Sequence, residues 1–310
     1  MPAECKPRAF SAWKAYILAR GPPAGAAPGG SQGIDTSKTI GHFAFGANWA
    51  RFLALVDEGR LRTAQGSLSS TLEGVDWPAA SFLDVGCGSG LFSLAARRLG
   101  ARVVSFDFDL RSVSCTEDLK RRWFPGDGEW TIREGSVLDA GFLSALERFD
   151  VVYAWGSLHH TGDLWRALGN VIPLVCEGGR LLVSIYNDQG GASRRWRWVK
   201  RAYNRLPPPL RFLILIPALV RLWGPTMVRD FLRLQPFSTW RSYDGGSRGM
   251  SPWRNVVDWI GGYPFEVAHP EQVFDFCRER GLALARLKTC GGGHGCNEFV
   301  FVRPAQRSNP

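Results

Sequence analysis

Between residues 82 and 186 the sequence alternates short apolar runs with amphipathic stretches, and this alternation constrains the fold more than any other feature. Five runs have the length and composition of buried strands. Helical patterns start between them, near residues 91, 111, 142 and 163. Such alternation is typical of a largely parallel sheet covered by helices. The strand candidates are SFLDV, ARVVSFD, EWTIRE, DVVYAW and GRLLVSIY.

The same pattern resumes further along the chain. A helix is predicted from about Pro270 to Arg280, and two more strand candidates follow it, LALARLKT and EFVFVR. The sequence therefore predicts an α/β fold with a seven-stranded, mostly parallel sheet and helices on both faces. Residues 187–268 leave the alternation, and we interpret them as a helical lid inserted after strand 5.

Composition divides the chain further. The segment GPPAGAAPGGSQG, residues 21–33, is too rich in Gly, Pro and Ala to offset the entropy of ordering. Residues 1–38 are therefore predicted to be a flexible N-terminal tail, residues 39–186 the core, and residues 269–310 its completion. Within the core, HFAFGANWARFLALVDEGRL is predicted to form a helix. Its apolar residues at helical spacing are Trp49, Phe52, Leu53 and Val56.

Length, charge and cysteine content limit the class of protein. A chain of 310 residues with 45% hydrophobic content can bury a full core. We find no run of 18 or more apolar residues, and MPAECKPRAF lacks the apolar centre of a signal peptide, so a cytoplasmic location is expected. Seven irregularly spaced cysteines are typical of reduced thiols. The net charge of +10 favours anionic substrates, nucleic acid or acidic lipid surfaces as partners.

A glycine-rich turn follows the first predicted strand and precedes the first helix of the alternating region. It reads D-V-G-C-G-S-G from Asp84 to Gly90. A dinucleotide-binding fingerprint would need a third glycine where Leu91 or Ser93 stands, and the Gly-Lys-Ser/Thr of a P-loop is missing. The spacing instead resembles the first motif of the class I S-adenosylmethionine-dependent methyltransferases. The loop residues that this resemblance assigns to cofactor binding are Asp84, Gly86, Cys87, Gly88 and Gly90.

The resemblance extends to later segments and implies a Rossmann-like sheet that binds S-adenosylmethionine. Asp107 ends the second strand, where a carboxylate can accept hydrogen bonds from a ribose diol. Asp109 competes for that role. After the third strand, Val137 is expected to pack on the adenine, and Ser136 or Asp139 to hydrogen-bond its edge. The family often has an acid where Ser136 stands.

Two segments are candidates for contact with the methyl acceptor. Gly-Ser-Leu-His-His-Thr follows the fourth strand and looks like the Leu-His-His segment of small-molecule methyltransferases. His159 or His160 could accept a proton from the acceptor near neutral pH, although a histidine at a strand end is more often a structural residue. Tyr186, Asn187 and Asp188 follow the fifth strand directly and are candidate substrate contacts.

The lid carries most of the charge. Residues 187–268 hold thirteen Arg or Lys against five Asp or Glu, a net of +8, together with six of the thirteen tryptophans. The run LRFLILIPALVRLWG, residues 210–224, is expected to be too short to span a bilayer and is interrupted by Pro217. It is either the buried face of a lid helix or part of a basic amphipathic surface that suits anionic lipid. The residues of that surface would be Arg194, Arg195, Arg197, Lys200, Arg201, Arg205, Arg211 and Arg221, with Trp196, Trp198 and Trp223.

Other interpretations are weaker. Nucleic acid is disfavoured because the basic residues are spread through an apolar lid. No metal is predicted, because Cys290, His294 and Cys296 are explained by a glycine-rich turn between the last two strands. Tyr243 and Asp244 are placed only loosely in the lid.

The sequence therefore predicts transfer of a methyl group to a small-molecule or lipid-like acceptor. Methylation of oxygen or carbon is favoured, and an anionic or prenylated substrate would fit the lid. The alternatives are an RNA methyltransferase or a non-catalytic protein that binds the cofactor. The location would be cytoplasmic, with peripheral contact at the inner membrane surface, and the sequence does not determine an oligomeric state.

Overall fold

The computed structural model describes residues 56–242, 252–293 and 295–305. The tail predicted for residues 1–38 lies outside these ranges. Six residues named above also lie outside the described part of the chain: Trp49, Phe52, Leu53, Tyr243, Asp244 and His294.

Seven strands in the described part form one sheet, which confirms the predicted fold class. Their order across the sheet is β3-β2-β1-β4-β5-β7-β6; β1 to β5 are parallel, and β7 is antiparallel to both of its neighbours. The strands are β1 (Ser81–Val85), β2 (Arg102–Asp107), β3 (Trp130–Glu134), β4 (Phe149–Trp155), β5 (Val175–Tyr186), β6 (Ala283–Lys288) and β7 (Cys296–Val302). A turn joins β6 to β7, as predicted from its glycines.

Helices cover both faces of the sheet. They are α1 (Glu58–Thr71), α2 (Leu91–Arg98), α3 (Leu110–Trp123), α4 (Ala140–Ser144), α5 (Leu164–Val171), α6 (Gly191–Arg205), α7 (Phe212–Leu232), α8 (Ser238–Ser242), α9 (Pro252–Gly261) and α10 (Pro270–Arg278). The predicted entry helix is wrong at two described positions, because Val56 and Asp57 precede α1. Asp57 caps the helix by accepting a hydrogen bond from the Arg60 backbone N–H at 2.8 Å, so the helix starts after it.

The burial of β1 explains its central position. All five of its residues are buried, as expected for a parallel strand with helices on both sides. Because side chains alternate along a strand, Phe82 packs with α1, α2 and α3, whereas Leu83 packs on the opposite face with α4, α5 and α10. The hydrophobic clusters on the two faces of the sheet fix the position of the strand ends where the site lies.

Among the described residues, four α-helices lie between β5 and α10, in the region predicted to be an inserted lid. We call residues 187–268 the insertion. Tyr203, Leu215, Trp223, Val256 and Ile260 form a small core of its own, built by α6, α7 and α9. The prediction that Trp223 and Lys200 belong to an exposed surface is wrong, because both side chains face inward and are buried.

Helix α7 also corrects the expectation that its apolar run is too short to span a bilayer. The helix continues through Pro217 and Pro225 to Leu232. By length and composition alone, Pro208–Leu232 is long and apolar enough to cross a membrane. Each proline removes one backbone N–H donor, but both prolines lie on the exposed side, so the packed side of the helix is preserved.

Candidate functional site

The site is built where several parallel strands end. Strand β1 pairs with β2 on one side and with β4 on the other, so the connections leaving β1 and β4 diverge at this point. In open α/β sheets, ligands bind in the crevice outside the carboxyl ends of the strands at such a switch point. The glycine turn, Asp107, the histidine pair and Tyr186 follow or end these strands.

The glycine turn has a backbone that side chains would not permit. Gly86, Gly88 and Gly90 have positive φ values of 76°, 55° and 76°, a region that L-residues with a Cβ rarely occupy. A Cβ on Gly86 would lie 2.5 Å from the Cβ of Ser157, which follows β4. The turn therefore packs directly against the segment that leads to the histidine pair.

Asp107 lies beside this turn. Its Oδ2 accepts a hydrogen bond from the Gly88 N–H at 3.0 Å, and its Oδ1 accepts one from the Asp109 N–H at 2.9 Å. Burial raises the pKa of the Asp107 carboxyl to about 6. A carboxylate offers roughly four acceptor positions, so after these two bonds Asp107 retains capacity for the two hydroxyl groups of a ribose.

Asp84 lies beneath the turn, in a buried polar network that sequence reasoning missed. The Trp130 indole N–H donates to the Ser105 hydroxyl at 2.9 Å, Ser105 and Ser93 are 2.7 Å apart, and Ser93 donates to the Asp84 carboxylate. Burial raises the pKa of Asp84 to about 7. Because indole only donates and carboxylate only accepts, the hydroxyl groups are oriented in one direction along the chain.

Cys87 likewise points inward, with its Sγ 3.3 Å from the Thr116 hydroxyl on α3. Burial raises the pKa of this thiol well above its usual value. The side chains of Asp84 and Cys87 thus support the turn from below, which leaves its backbone as the surface offered to a ligand.

The segment after β3 contains the predicted adenine contacts. Ser136 Oγ accepts a hydrogen bond from the Leu138 N–H at 3.2 Å, and Asp139 Oδ1 caps α4 by accepting from Gly141 N at 2.9 Å. Val137 is buried in the sheet core. Sequence reasoning missed Phe108, which directly follows Asp107 and is 47% exposed; its signal was an aromatic residue immediately after the predicted ribose carboxylate.

The two histidines differ in environment although they are adjacent. His159 is buried, and its pKa is held well below the usual value by burial and then by the neighbouring His160 and Lys200. The imidazole of His160 is only partly buried, and its Nδ1 lies 2.7 Å from the Pro264 carbonyl oxygen. Because a carbonyl only accepts, this contact assigns the proton to Nδ1 and leaves Nε2 as the basic nitrogen.

The insertion is tied to this segment by Glu266. Its backbone N–H donates to the His159 carbonyl at 3.0 Å, and its carboxylate accepts from the N–H groups of Gly162 and Leu164 at 2.9 and 3.1 Å. These bonds hold Phe265, the preceding residue, over the end of β5.

An aromatic cleft opens at this point. Tyr186 forms its floor, 4.0 Å from the His159 ring and 5.1 Å from the Trp259 ring, measured between ring centroids. Of the predicted acceptor contacts, Tyr186 and Asn187 line the cleft and Asp188 does not. The lining residues are Tyr186, Asn187, Gln189, Ser193, Trp196, Trp259, Phe265 and Gly295.

Lys200 lies behind the aromatic wall. Its side chain is fully buried, and Nζ donates to the Trp259 carbonyl oxygen and lies 4.0 Å from the Trp259 ring centroid and 4.7 Å from that of Phe265. Burial lowers the pKa of this amine well below its usual value. Sequence reasoning placed Lys200 on the surface because of its charge; the signal it missed was helical spacing, since residues 196, 200 and 203 share the inward face of α6.

Comparison with known proteins identifies the family. Residues 48–212, more than half of the chain, match the family described as Methyltransferase domain. The chain belongs to this family. S-adenosylmethionine is accordingly the cofactor of this methyltransferase domain, and the positive-φ glycine turn beside the spare acceptor capacity of Asp107 fits its ribose and methionine portions.

Two curated relatives and one solved structure are representative. The chain is 28% identical over 132 residues to a ubiquinone biosynthesis O-methyltransferase of Rhodopseudomonas palustris, covering 40% of this chain and 49% of the relative. It is 44% identical over 52 residues to a ribosomal protein L11 methyltransferase of Alteromonas mediterranea, covering 16% of this chain and 18% of the relative. The chain thus spans about half or less of the curated relatives it matches.

The solved structure is magnesium protoporphyrin IX methyltransferase from Synechocystis PCC 6803 with bound SAH. Its TM-score is 0.51 at 14% identity, covering 87% of this chain and all of that one. This likeness supports the methyltransferase fold.

Proposed function

We propose that this protein transfers a methyl group from S-adenosylmethionine to an oxygen atom of a small, apolar, ring-containing acceptor. The observation that carries the proposal is the aromatic cleft, which opens at the same sheet edge as the glycine turn and the histidine pair. The rings of Tyr186, Trp196, Trp259 and Phe265 line the cleft, and aromatic walls suit offset or edge-to-face packing on an acceptor ring.

The names of two relatives support the choice of acceptor and of atom. Both are ubiquinone biosynthesis O-methyltransferases, from Rhodopseudomonas palustris and a Bradyrhizobium strain. A ring with an apolar substituent would match the walls of the cleft. Carbon methylation is the alternative outcome that product analysis distinguishes.

The residues that would hold the cofactor follow from the geometry of the turn. The backbone of Gly86, Gly88 and Gly90 leaves room for close approach, Asp107 would accept from the ribose hydroxyl groups, and the exposed ring of Phe108 would pack on the base. When bound, S-adenosylmethionine supplies an activated methyl group on a sulfonium. The chain then has to align the acceptor and exclude water, which accounts for most of the rate in displacements of this type.

We propose His160 as the residue that accepts the acceptor's proton. Its bond to the Pro264 carbonyl leaves Nε2 basic, and its ring lies 5.6 Å from that of Tyr186 in the cleft floor. His159 suits this role less well, because its imidazole is buried and packs against the Tyr186 ring. General bases contribute typically 10²- to 10⁴-fold to a rate.

The experiment is methyl transfer from labelled S-adenosylmethionine to separated fractions of a cell extract: organic-soluble small molecules, polar small molecules, protein and RNA. Label in the organic-soluble fraction, on oxygen, is the expected result. Label in protein or RNA would contradict the proposed acceptor class. Cofactor binding by calorimetry without transfer to any fraction would favour the non-catalytic alternative.

The variant His160→Gln tests the proton acceptor. We expect cofactor affinity to be retained while the turnover number falls by about 10²-fold or more. An unchanged turnover number in this variant would contradict the assignment to His160.

A further inference from the structure

Helix α7 leaves a long apolar stripe uncovered. Starting at Leu213, residues recur at steps of three or four and fall on one side of the helix. Val220 is 63% and Phe231 70% exposed. We call this stripe the docking face; its members are Leu213, Ile216, Val220, Gly224, Val228 and Phe231. Contiguous apolar patches of this kind mark interaction sites on soluble proteins.

The exposed charge on helix α7 and on the preceding helix α6 is positive. Within residues 191–242 the sequence has one acidic residue, Asp230, and it is buried, accepting from the Thr239 backbone N–H and hydroxyl, each at 2.8 Å. Every exposed charge in that stretch is therefore basic. Those residues are Arg194, Arg195, Arg197, Arg201 and Arg205 on α6, and Arg221, Arg229, Arg233 and Arg241 on or after α7.

Tryptophan adds to the basic side. Trp198 is 68% exposed, and the guanidinium of Arg201 lies 5.8 Å from its ring centroid. Trp and Arg together are typical of the boundary between lipid headgroups and acyl chains, where an apolar body and a polar end are both accommodated.

From these observations we infer that the docking face of α7, with the arginines of α6, binds the surface of an anionic lipid bilayer. Charge complementarity selects the partner: an apolar stripe on a described segment, residues 191–242, whose exposed charges are all arginines matches acyl chains beneath acidic headgroups. RNA would match the arginines but not the exposed Leu, Val and Phe side chains.

Packing decides that α7 lies in the plane of the membrane and does not cross it. The side opposite the docking face is covered: Leu215, Ala218 and Trp223 pack with Tyr203 of α6 and Ile260 of α9. A spanning orientation would carry the arginines of α6 into the hydrocarbon, at high cost. An in-plane helix inserts its stripe and leaves those arginines at the headgroups.

The packed side of α7, opposite the docking face, contacts the two helices that contribute to the aromatic cleft. Helix α6 supplies Ser193 and Trp196 to the cleft, and α9 supplies Trp259. Membrane binding itself does not depend on methyl transfer and is measured without cofactor.

The test is co-sedimentation of the full chain with vesicles of phosphatidylcholine, with and without phosphatidylglycerol. We expect binding to the mixed vesicles that weakens as salt is raised. The double variant Val220→Glu/Phe231→Glu should lower the partition coefficient by at least about tenfold. The matched control is Leu287→Glu on β6, an apolar residue of 43% exposure far along the chain from the insertion, which should bind as wild type does.

Thermal unfolding checks that the variants are folded. All three substituted positions are exposed, so the variants should unfold near the wild-type temperature. Equal vesicle binding by the double variant and wild type would overturn the inference, as would failure of wild type to bind the mixed vesicles. Light scattering provides a second test. If wild type is a dimer and Val220→Glu dissociates it, a second copy of the chain covers the docking face and the inference is wrong.

Discussion

Replacing Asp107 with Asn tests the cofactor site most directly. The carboxylate accepts from Gly88 N at 3.0 Å through one oxygen and from Asp109 N at 2.9 Å through the other. An amide keeps the shape but turns one acceptor into a donor. Whichever way the amide is oriented, one backbone N–H loses its acceptor, and at least one ribose hydroxyl loses a charged partner.

A hydrogen bond to a charged group contributes about 1.5–3 kcal/mol. Asp107→Asn should therefore weaken binding of S-adenosylmethionine and of its demethylated product by about 10- to 150-fold. Titration calorimetry measures this loss. Because the pKa of Asp107 is raised to about 6, wild-type affinity should also decline as pH falls through 6, whereas the affinity of the variant should not follow that titration.

A thermodynamic cycle isolates the ribose contact. The product analogue without ribose hydroxyl groups should bind wild type more weakly than the product itself, and Asp107→Asn should reduce this difference. Asp109→Asn is the control, because Asn remains a good N-cap for α3, where Asp109 accepts from Arg111 N at 3.0 Å. Loss of the hydroxyl contribution in Asp109→Asn, with retention in Asp107→Asn, would refute the reasoning.

Three further predictions concern stability, measured by urea unfolding. Gly86→Ala should lower the free energy of unfolding by about 1–3 kcal/mol because of its positive φ, and further because its Cβ would clash with Ser157. Adding Ser157→Gly should restore only the stability lost through the clash. Full restoration of stability would mean that the backbone is not strained. Lys200→Met should stabilise the protein at neutral pH. The folded-state pKa of Lys200 is depressed, so wild-type stability rises with pH by up to about 1.4 kcal/mol per unit until the unfolded pKa near 10.5. The stability advantage of Lys200→Met should therefore shrink as pH rises. A stability difference between variant and wild type that does not change with pH would contradict burial of the amine. Because the pKa of Asp84 is raised to about 7, this group should lower wild-type stability by up to about 4 kcal/mol as pH rises from 4 to 7. Asp84→Asn should remove this contribution and leave the smaller loss between pH 4 and 6 that the raised pKa of Asp107 causes; an unchanged slope would contradict the assignment to Asp84.

Local patterns in the sequence were sufficient for most of the fold. Five apolar runs separated by helical patterns led to the strands of the parallel region, because burial between two helical layers demands near-continuous apolar strands. The spacing of Gly86, Gly88 and Gly90 distinguished this turn from dinucleotide and phosphate loops, since each position needs a conformation that only glycine adopts readily. The sequence also placed Asp107 correctly at the end of β2, beside that turn.

Contacts between distant segments were not readable in the same way. The pairing of Tyr186 with Cys296 across β5 and β7, and the packing of Trp259 and Phe265 on Tyr186, join residues from separate parts of the chain. No local period encodes such contacts. The cleft they form therefore emerged only from the structure.

The insertion shows most clearly which properties the sequence determined and which depended on tertiary packing. Its amino-acid sequence alone determined that it is basic, aromatic and apolar, and that it leaves the strand and helix alternation. Only tertiary packing decided that Lys200 is buried against aromatic rings. It also decided that Leu215 and Trp223 are buried on one side of α7 while Val220 and Phe231 stay exposed on the other. Composition fixes how much apolar and charged surface a segment carries, whereas the direction in which each side chain points depends on which neighbours cover the helix.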